Sequence, residues 1–267
     1  MNRTSLISEI RSKKSFLCVG LDSDILKMPE GISRDAQGLI DFNKAIIEAT
    51  AEYAVSYKVN TAFYESLGAK GWEVMEKTLE FIPKNIFTIA DAKRGDIGNT
   101  SSMYARAFFD NLSFDSITIN PYMGKDSVSP FLDFEGKWSI LLALTSNPGS
   151  QDFQTLPVGN EQVFEQVLRK SSAWGTADNM MYVVGATRAE QLAKIREIIP
   201  DHFLLVPGVG AQGGSLEQVV KYGANKDIGL LINASRSIIY ASSGKDFAAA
   251  ARFEAAAMQG QMEQYVK

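Results

Sequence analysis

The chain is poor in the residues on which many catalytic sites are built. Its 267 residues include one cysteine, Cys18, and one histidine, His202. A single cysteine excludes an internal disulfide and a cysteine-based metal site. Cys18 lies in an apolar run and reads as a core side chain. His202 stands at the beginning of an apolar run, so it reads as structural, which removes a Ser-His-Asp triad and a histidine-based metal centre. Positive charge is not in excess. Lys and Arg number 27 against 31 Asp and Glu, and the net charge of −4 argues against broad nucleic-acid binding while leaving room for a local basic pocket. Long apolar runs are also missing. Glu9, Arg11, Lys13 and Lys14 interrupt the first apolar patches, so neither a secretory leader nor a membrane span is expected, and the setting reads as cytoplasmic.

What is present is a rhythm. Short apolar, β-branched runs recur in steps of about 30 residues. They are Ser15–Asp22, Val55–Asn60, Asn85–Lys93, Ser116–Asn120, Trp138–Thr145, Met180–Ala186, His202–Pro207 and Gly229–Ala234. Helical patterns fall between them. An opening helix covers Leu6–Lys14, a second runs from Asp41 as N-cap to Ala54, and a third runs from Tyr64 to Ile82. Others span Thr100–Asn111, Asn160–Ser172, Arg188–Ile199, Leu216–Tyr222 and Phe247–Met258. Strands alternating with helices imply a parallel sheet, and continuously apolar strands imply that both faces are covered. Eight such units fit an α/β fold of the (β/α)₈ TIM-barrel type with a short N-terminal helix. An open doubly wound sheet is the alternative. No Pro/Gly/Ser-rich linker divides the chain, so residues 1–267 read as a single domain.

In such a barrel, chemistry collects at the C-terminal strand ends, often with a phosphate site built by the last two loops. Those ends carry Asp22, Lys58, Asp91, Lys93, Thr145 with Ser146, and Arg236. The densest group is Asp91-Ala92-Lys93-Arg94-Gly95-Asp96-Ile97-Gly98-Asn99-Thr100. Asp91 and Lys93 are two apart, so on an extended chain they point the same way. Charges packed so closely hold one another ionised and suit a reaction that moves charge or protons. A solvated loop with one exposed ion pair competes with that reading, but it leaves the similar strand ends elsewhere unexplained. Asp91 and Asp96 would suit a divalent ion only if Lys93 between them did not repel it.

Gly208-Val209-Gly210-Ala211-Gln212-Gly213 matches G-x-G-x-x-G after a strand. A dinucleotide fingerprint needs an acid at the end of the following strand, and this one ends Asn233-Ala234-Ser235-Arg236. Arg236 would suit a 2′-phosphate, so an NADP site stays open. A monophosphate cradle is more economical, with backbone N–H groups from the two loops and a bidentate contact from Arg236.

The run from Asp91 to Thr100 closely resembles the signature of the orotidine 5′-phosphate decarboxylases. Val19-Gly20-Leu21-Asp22, Tyr57-Lys58-Val59-Asn60, Thr145-Ser146-Asn147-Pro148-Gly149, Val206-Pro207-Gly208-Val209-Gly210 and Ser235-Arg236 follow in that family's order. D-x-K-x-x-D alone is shared with hexulose-phosphate synthases, whereas Ile-Gly-Asn-Thr and Ser-Asn-Pro-Gly make the match specific. The wording resembles the longer bacterial branch. Serine stands at 235 where many members have glycine before the arginine, and it keeps the backbone N–H.

The resemblance implies a metal- and cofactor-free decarboxylation of orotidine 5′-monophosphate to uridine 5′-monophosphate. It implies Lys93 as proton donor to C6, and Asp91 crowding the substrate carboxylate and holding Lys93 charged. Lys58 would link Asp91 to the ribose hydroxyls, with Asp22 on the ribose. Ser146 would read the pyrimidine amide, while Gln212, Ser235 and Arg236 hold the phosphate. Asp96 and Thr100 would reach the neighbouring subunit's site, making a homodimer, with no nucleic-acid or membrane partner. A Mg²⁺-dependent aldolase of the hexulose-phosphate synthase kind and a non-catalytic nucleotide-phosphate sensor are the competing functions.

Overall fold

The computed structural model describes residues 1–186, 189–210 and 214–267. Among them, eight parallel strands close into a barrel. They are β1 (Leu17–Leu21), β2 (Ala54–Asn60), β3 (Phe87–Arg94), β4 (Ser116–Ile119), β5 (Trp138–Leu144), β6 (Met180–Val184), β7 (Phe203–Pro207) and β8 (Leu230–Ala234). Each pairs with its neighbours in chain order and β8 returns to β1, as the eightfold rhythm implies. A short antiparallel hairpin, Pro157–Val158 with Glu161–Gln162, stands apart from the barrel.

The helices are α1 (Arg3–Lys13), α2 (Ala36–Thr50), α3 (Thr61–Glu65), α4 (Ala69–Glu80), α5 (Gly98–Arg106), α6 (Ser129–Leu132), α7 (Val163–Ser171), α8 (Ala189–Ile198), α9 (Leu216–Gly223), α10 (Arg236–Ile239) and α11 (Phe247–Glu263). Several differ from the sequence expectation. Helix α1 starts at Arg3 rather than Leu6, α7 starts at Val163 rather than Asn160 because Glu161–Gln162 pair in the hairpin, and α11 runs past Met258 to Glu263. The N-cap of α2 is Asp35 rather than Asp41, its carboxylate accepting from the Gly38 amide at 2.8 Å. The expected helix over Tyr64–Ile82 is two helices, because Gly68 turns the chain at φ 65°. The start expected at Arg188 lies outside the described residues.

Contacts group the chain into two compact units. One holds residues 3–92 and 233–267, and the other holds residues 93–232. In the first, α2 buries Leu39, Phe42, Asn43, Ile46, Ile47 and Thr50, the spacing of one helical face. Each large apolar side chain there contributes about 1.5–3 kcal/mol by leaving water. Phe42 stacks on Phe247 of α11 at 5.4 Å and on Tyr240 at 5.9 Å. Cys18 is fully buried on β1, and its thiol faces Asn233 Oδ1 at 3.6 Å.

In the second unit, Phe109 meets Phe131 edge-on at 6.4 Å and lies 5.3 Å from Phe134. Helix α5 passes directly into a π-helical turn, Ala107–Asn111. Arg94 lies 5.3 Å from both the Tyr104 and Phe108 rings, a cation–π seat that fastens the end of β3 to α5 and this turn. His202 packs edge-on against Tyr182 at 5.5 Å, just before β7. Among the described residues no helix is long and apolar enough to cross a membrane.

Candidate active site

In the first unit, Asp22, Lys58 and Asp91 come together. Asp22 follows the last residue of β1, Lys58 lies inside β2, and Asp91 is the fifth residue of β3. Lys58 is therefore not a strand-end residue, and its reach explains how it still belongs to the group. In register, Lys58 is opposite Ile89 and Asn60 is opposite Asp91. The lysine thus starts two residues below Asp91, a rise of about 6–7 Å that its four-carbon stem spans. Its ammonium meets Asp91 Oδ2 at 2.8 Å and Asp22 Oδ1 at 3.4 Å.

Burial alone would push the Lys58 ammonium toward its neutral form. The Asp91 and Asp22 carboxylates together outweigh that cost, and the group is held above the ordinary lysine value. The result is a fixed cation with two fixed anions, aligned by three adjacent strands.

Ser235 and Gly20 also meet. Ser235 donates its hydroxyl to the Gly20 carbonyl at 2.9 Å. A Cβ on Gly20 would lie 2.8 Å from the Ser235 Cβ, so only glycine allows β1 to pass this close. Arg236 opens α10 and is exposed.

The remaining expected residues lie in the second unit. Lys93 is exposed, and its φ of 47° puts it in the left-handed region. The strand is not extended there, so the alternation argument for a shared direction with Asp91 stops at this residue. A left-handed non-glycine residue costs on the order of 1 kcal/mol, and such strain gathers at functional sites. The Lys93 amide donates to Thr118 Oγ1 on β4 at 2.9 Å, which helps hold the turn.

Asp96 accepts from the Ile97 amide at 2.8 Å, and its carbonyl accepts from the Ser101 hydroxyl. Thr100 is exposed in the first turn of α5. Thr145 is occupied locally. Its amide donates to Gln154 Oε1 at 2.7 Å, Gln154 Nε2 donates to its hydroxyl at 2.9 Å, and that hydroxyl donates to Asn147 Oδ1 at 2.6 Å. Ser146 is half-buried against Gly185, where a Cβ would fall 2.8 Å from the Ser146 Cβ. Gln212 lies outside the described residues. No cluster of three or more metal-ligating side chains occurs among the described residues.

Sequence reasoning missed Thr118, Gln154 and Gly185, together with Asn43, Tyr64 and Tyr240 around the exit of β1. Gly185 carried a signal, as a glycine directly after an apolar strand. The others act through contacts distant in sequence.

Comparison with known proteins gives a consistent result. The model of the orotidine 5′-phosphate decarboxylase / HUMPS family matches residues 15–252. Among the curated relatives, an orotidine 5′-phosphate decarboxylase of Phocaeicola vulgatus is 59% identical over 267 residues, covering 98% of each chain. One of Bacteroides fragilis is 58% identical over 271 residues, covering 100% of this chain and 99% of its own. Among solved structures, the OMP decarboxylase of Leishmania donovani superposes with a TM-score of 0.83 at 37% identity, covering 97% of this chain and 99% of its own.

Proposed function

The chain belongs to the orotidine 5′-phosphate decarboxylase / HUMPS family, and from that premise we propose that it converts orotidine 5′-monophosphate to uridine 5′-monophosphate and carbon dioxide, the last step of de novo pyrimidine nucleotide synthesis. It is a carbon–carbon lyase. The full-length relatives named above favour decarboxylation over the aldolase chemistry that shares D-x-K-x-x-D.

The observation that carries the mechanism is the Lys58 ammonium held between Asp91 and Asp22. Lys58 fixes the Asp91 carboxylate beside the carboxylate of the bound substrate, where like charge raises the energy of the ground state. The C6–carboxylate bond breaks, its electron pair stays at C6 in the plane of the ring, and carbon dioxide leaves. The Lys93 ammonium stabilises that developing charge and delivers its proton to C6. Solvent returns a proton to Lys93 in the next cycle. Neither a redox group nor a Lewis acid is required by this balance.

Remote groups supply binding energy. Asp22 holds the ribose, Ser146 reads the pyrimidine amide, and Gln212, Ser235 and Arg236 hold the phosphate. The close approach of Ser235 to Gly20 supports the phosphate reading, because it brings a strand exit and a serine-bearing turn together. Energy gained at the phosphate is available to orient the base at the reacting centre. Asp96 and Thr100 act in the partner's site of a homodimer. Exposed Ile97 and Met103, on and beside α5, support that reading, being apolar side chains left in water in a lone chain. A single domain over 1–267 and a cytoplasmic setting complete the proposal.

The test is the absorbance of the purified protein mixed with orotidine 5′-monophosphate, with and without EDTA. Loss of the orotate chromophore at the same rate in both supports cofactor-free decarboxylation. Loss only without EDTA, or no loss by folded protein, overturns it.

A further inference from the structure

The exit of β1 is gripped at four consecutive residues by side chains from outside the barrel strands. Tyr64 of α3 donates its hydroxyl to the Leu21 carbonyl at 3.2 Å. That hydroxyl accepts from Asn43 Nδ2 of α2 at 3.0 Å. Asn43 Nδ2 also donates to Thr78 Oγ1 of α4 at 2.9 Å, and Thr78 donates to the Val74 carbonyl at 2.8 Å. Asn43 Oδ1 accepts from the Ser23 hydroxyl at 2.7 Å. Tyr240, just past α10, donates to the Asp22 carbonyl at 3.4 Å and accepts from the Asp24 amide at 2.6 Å.

Ser23, Asn43, Tyr64 and Thr78 are fully buried. Burying so many polar groups is costly unless each is paired, and here each is. An apolar contact would hold a strand in place more cheaply. What directed hydrogen bonds add is a fixed backbone orientation, and they converge on the residues flanking Asp22. Burial keeps both phenols neutral, raising Tyr240 to about 12 and Tyr64 further, so both remain hydroxyl donors.

We infer that Asn43, Tyr64 and Tyr240 are positioning residues that aim the Asp22 carboxylate, holding it against the Lys58 ammonium and toward the ribose hydroxyls of the substrate. The inference rests on the ribose role proposed for Asp22. It separates three outer-layer side chains that act on substrate selection from those that only fill the core.

The experiment is a double-mutant cycle with orotidine 5′-monophosphate as substrate. Tyr240→Phe and Tyr64→Phe are each made alone and in an Asp22→Asn background, and KM, kcat and melting temperature are recorded. Each single change is expected to raise KM about five- to tenfold, and to alter it by less than about twofold once Asp22→Asn is present. A second readout uses uridine 5′-monophosphate and its 2′,3′-dideoxy analogue. Tyr240→Phe weakens binding of the first and leaves the second unchanged. If Tyr64→Phe fails to fold, the half-buried Tyr240→Phe carries the test. Additive KM effects, equal losses for the two nucleotides, or a lower melting temperature with unchanged KM overturn the inference and leave the decarboxylase reading standing. An unchanged KM in Asp22→Asn overturns the ribose role and this inference together. No turnover by the wild-type enzyme overturns the functional reading itself, and the inference with it.

Discussion

Lys58 and Asp91 meet at 2.8 Å across adjacent strands, with side chains only 6% and 11% exposed. An ion pair this deep is held against a large desolvation cost, so removing one partner hurts more than the pair itself helps. Lys58→Met leaves two carboxylates sharing a buried corner without their cation. It should cost about 3–5 kcal/mol of stability, read by urea unfolding, and abolish turnover.

The same pair fixes a pH dependence. The folded pKa of Lys58 lies above its ordinary 10.5. Its contribution is therefore complete below that value. Above it the unfolded lysine loses its proton while the folded one keeps it, so stability falls as pH rises. The stability difference between wild type and Lys58→Met should be level around neutrality and shrink in the alkaline range above 10.5. Urea melts across that range check this, and a difference that grows with pH contradicts it.

Lys93 and Arg236 should separate cleanly in kinetics. On the proposed mechanism Lys93→Ala removes a charge that matters most in the transition state, so kcat should fall at least about 10²–10³-fold while nucleotide binding is largely kept. On the proposed phosphate role Arg236→Ala loses a contact to a group that does not react, and should mainly raise KM. Steady-state kinetics with calorimetry of uridine 5′-monophosphate binding distinguishes the two. Equal effects on binding with turnover untouched would refute this division.

Gly20→Ala tests the close approach of β1 to the Ser235 turn. The new methyl would lie 2.8 Å from the Ser235 Cβ and 3.1 Å from Asn233 Oδ1. Stability should fall by about 1–3 kcal/mol as the turn is pushed aside. KM should rise with it, because Ser235 leaves its place. A lower melting temperature with unchanged KM would detach Ser235 from phosphate binding.

Sharing of Asp96 across a dimer predicts complementation. Lys93→Ala and Asp96→Ala are each inactive alone. Mixed and refolded together, in the proposed dimer they should form heterodimers in which one of the two sites is intact, and about a quarter of wild-type activity should return. Failure to regain activity, with heterodimers shown by mass, would place Asp96 in its own chain's site.

The barrel was readable from the chain because its strands are short apolar runs and its rhythm repeats eight times. The charged residues of the first unit were readable because three of those runs carry a charge within or directly after them. Helix starts were harder. Asp41 resembled an N-cap, yet the apolar face already begins at Leu39, and Gly38 fits the first turn by passing close to the Ser33 carbonyl. The backbone at Lys93 was not readable, since its sequence neighbours suggest continued extension while Thr118 from β4 secures a left-handed turn. Gln154, Asn43 and Tyr240 were invisible for a related reason. Each acts on a residue whose position relative to it is set by the fold rather than by local spacing.

Cys18 gives the molecule a built-in reporter. Its thiol is fully buried on β1, and burial pushes it up to about 12. The thiolate is the nucleophile that attacks thiol reagents, so the native chain should be chemically silent toward them at neutral pH. With one sulfhydryl in the whole sequence, any label incorporated marks the moment β1 leaves its neighbours. The rate of labelling therefore times the opening of the strand that carries Asp22 at its tip, without any probe having to be engineered into the protein.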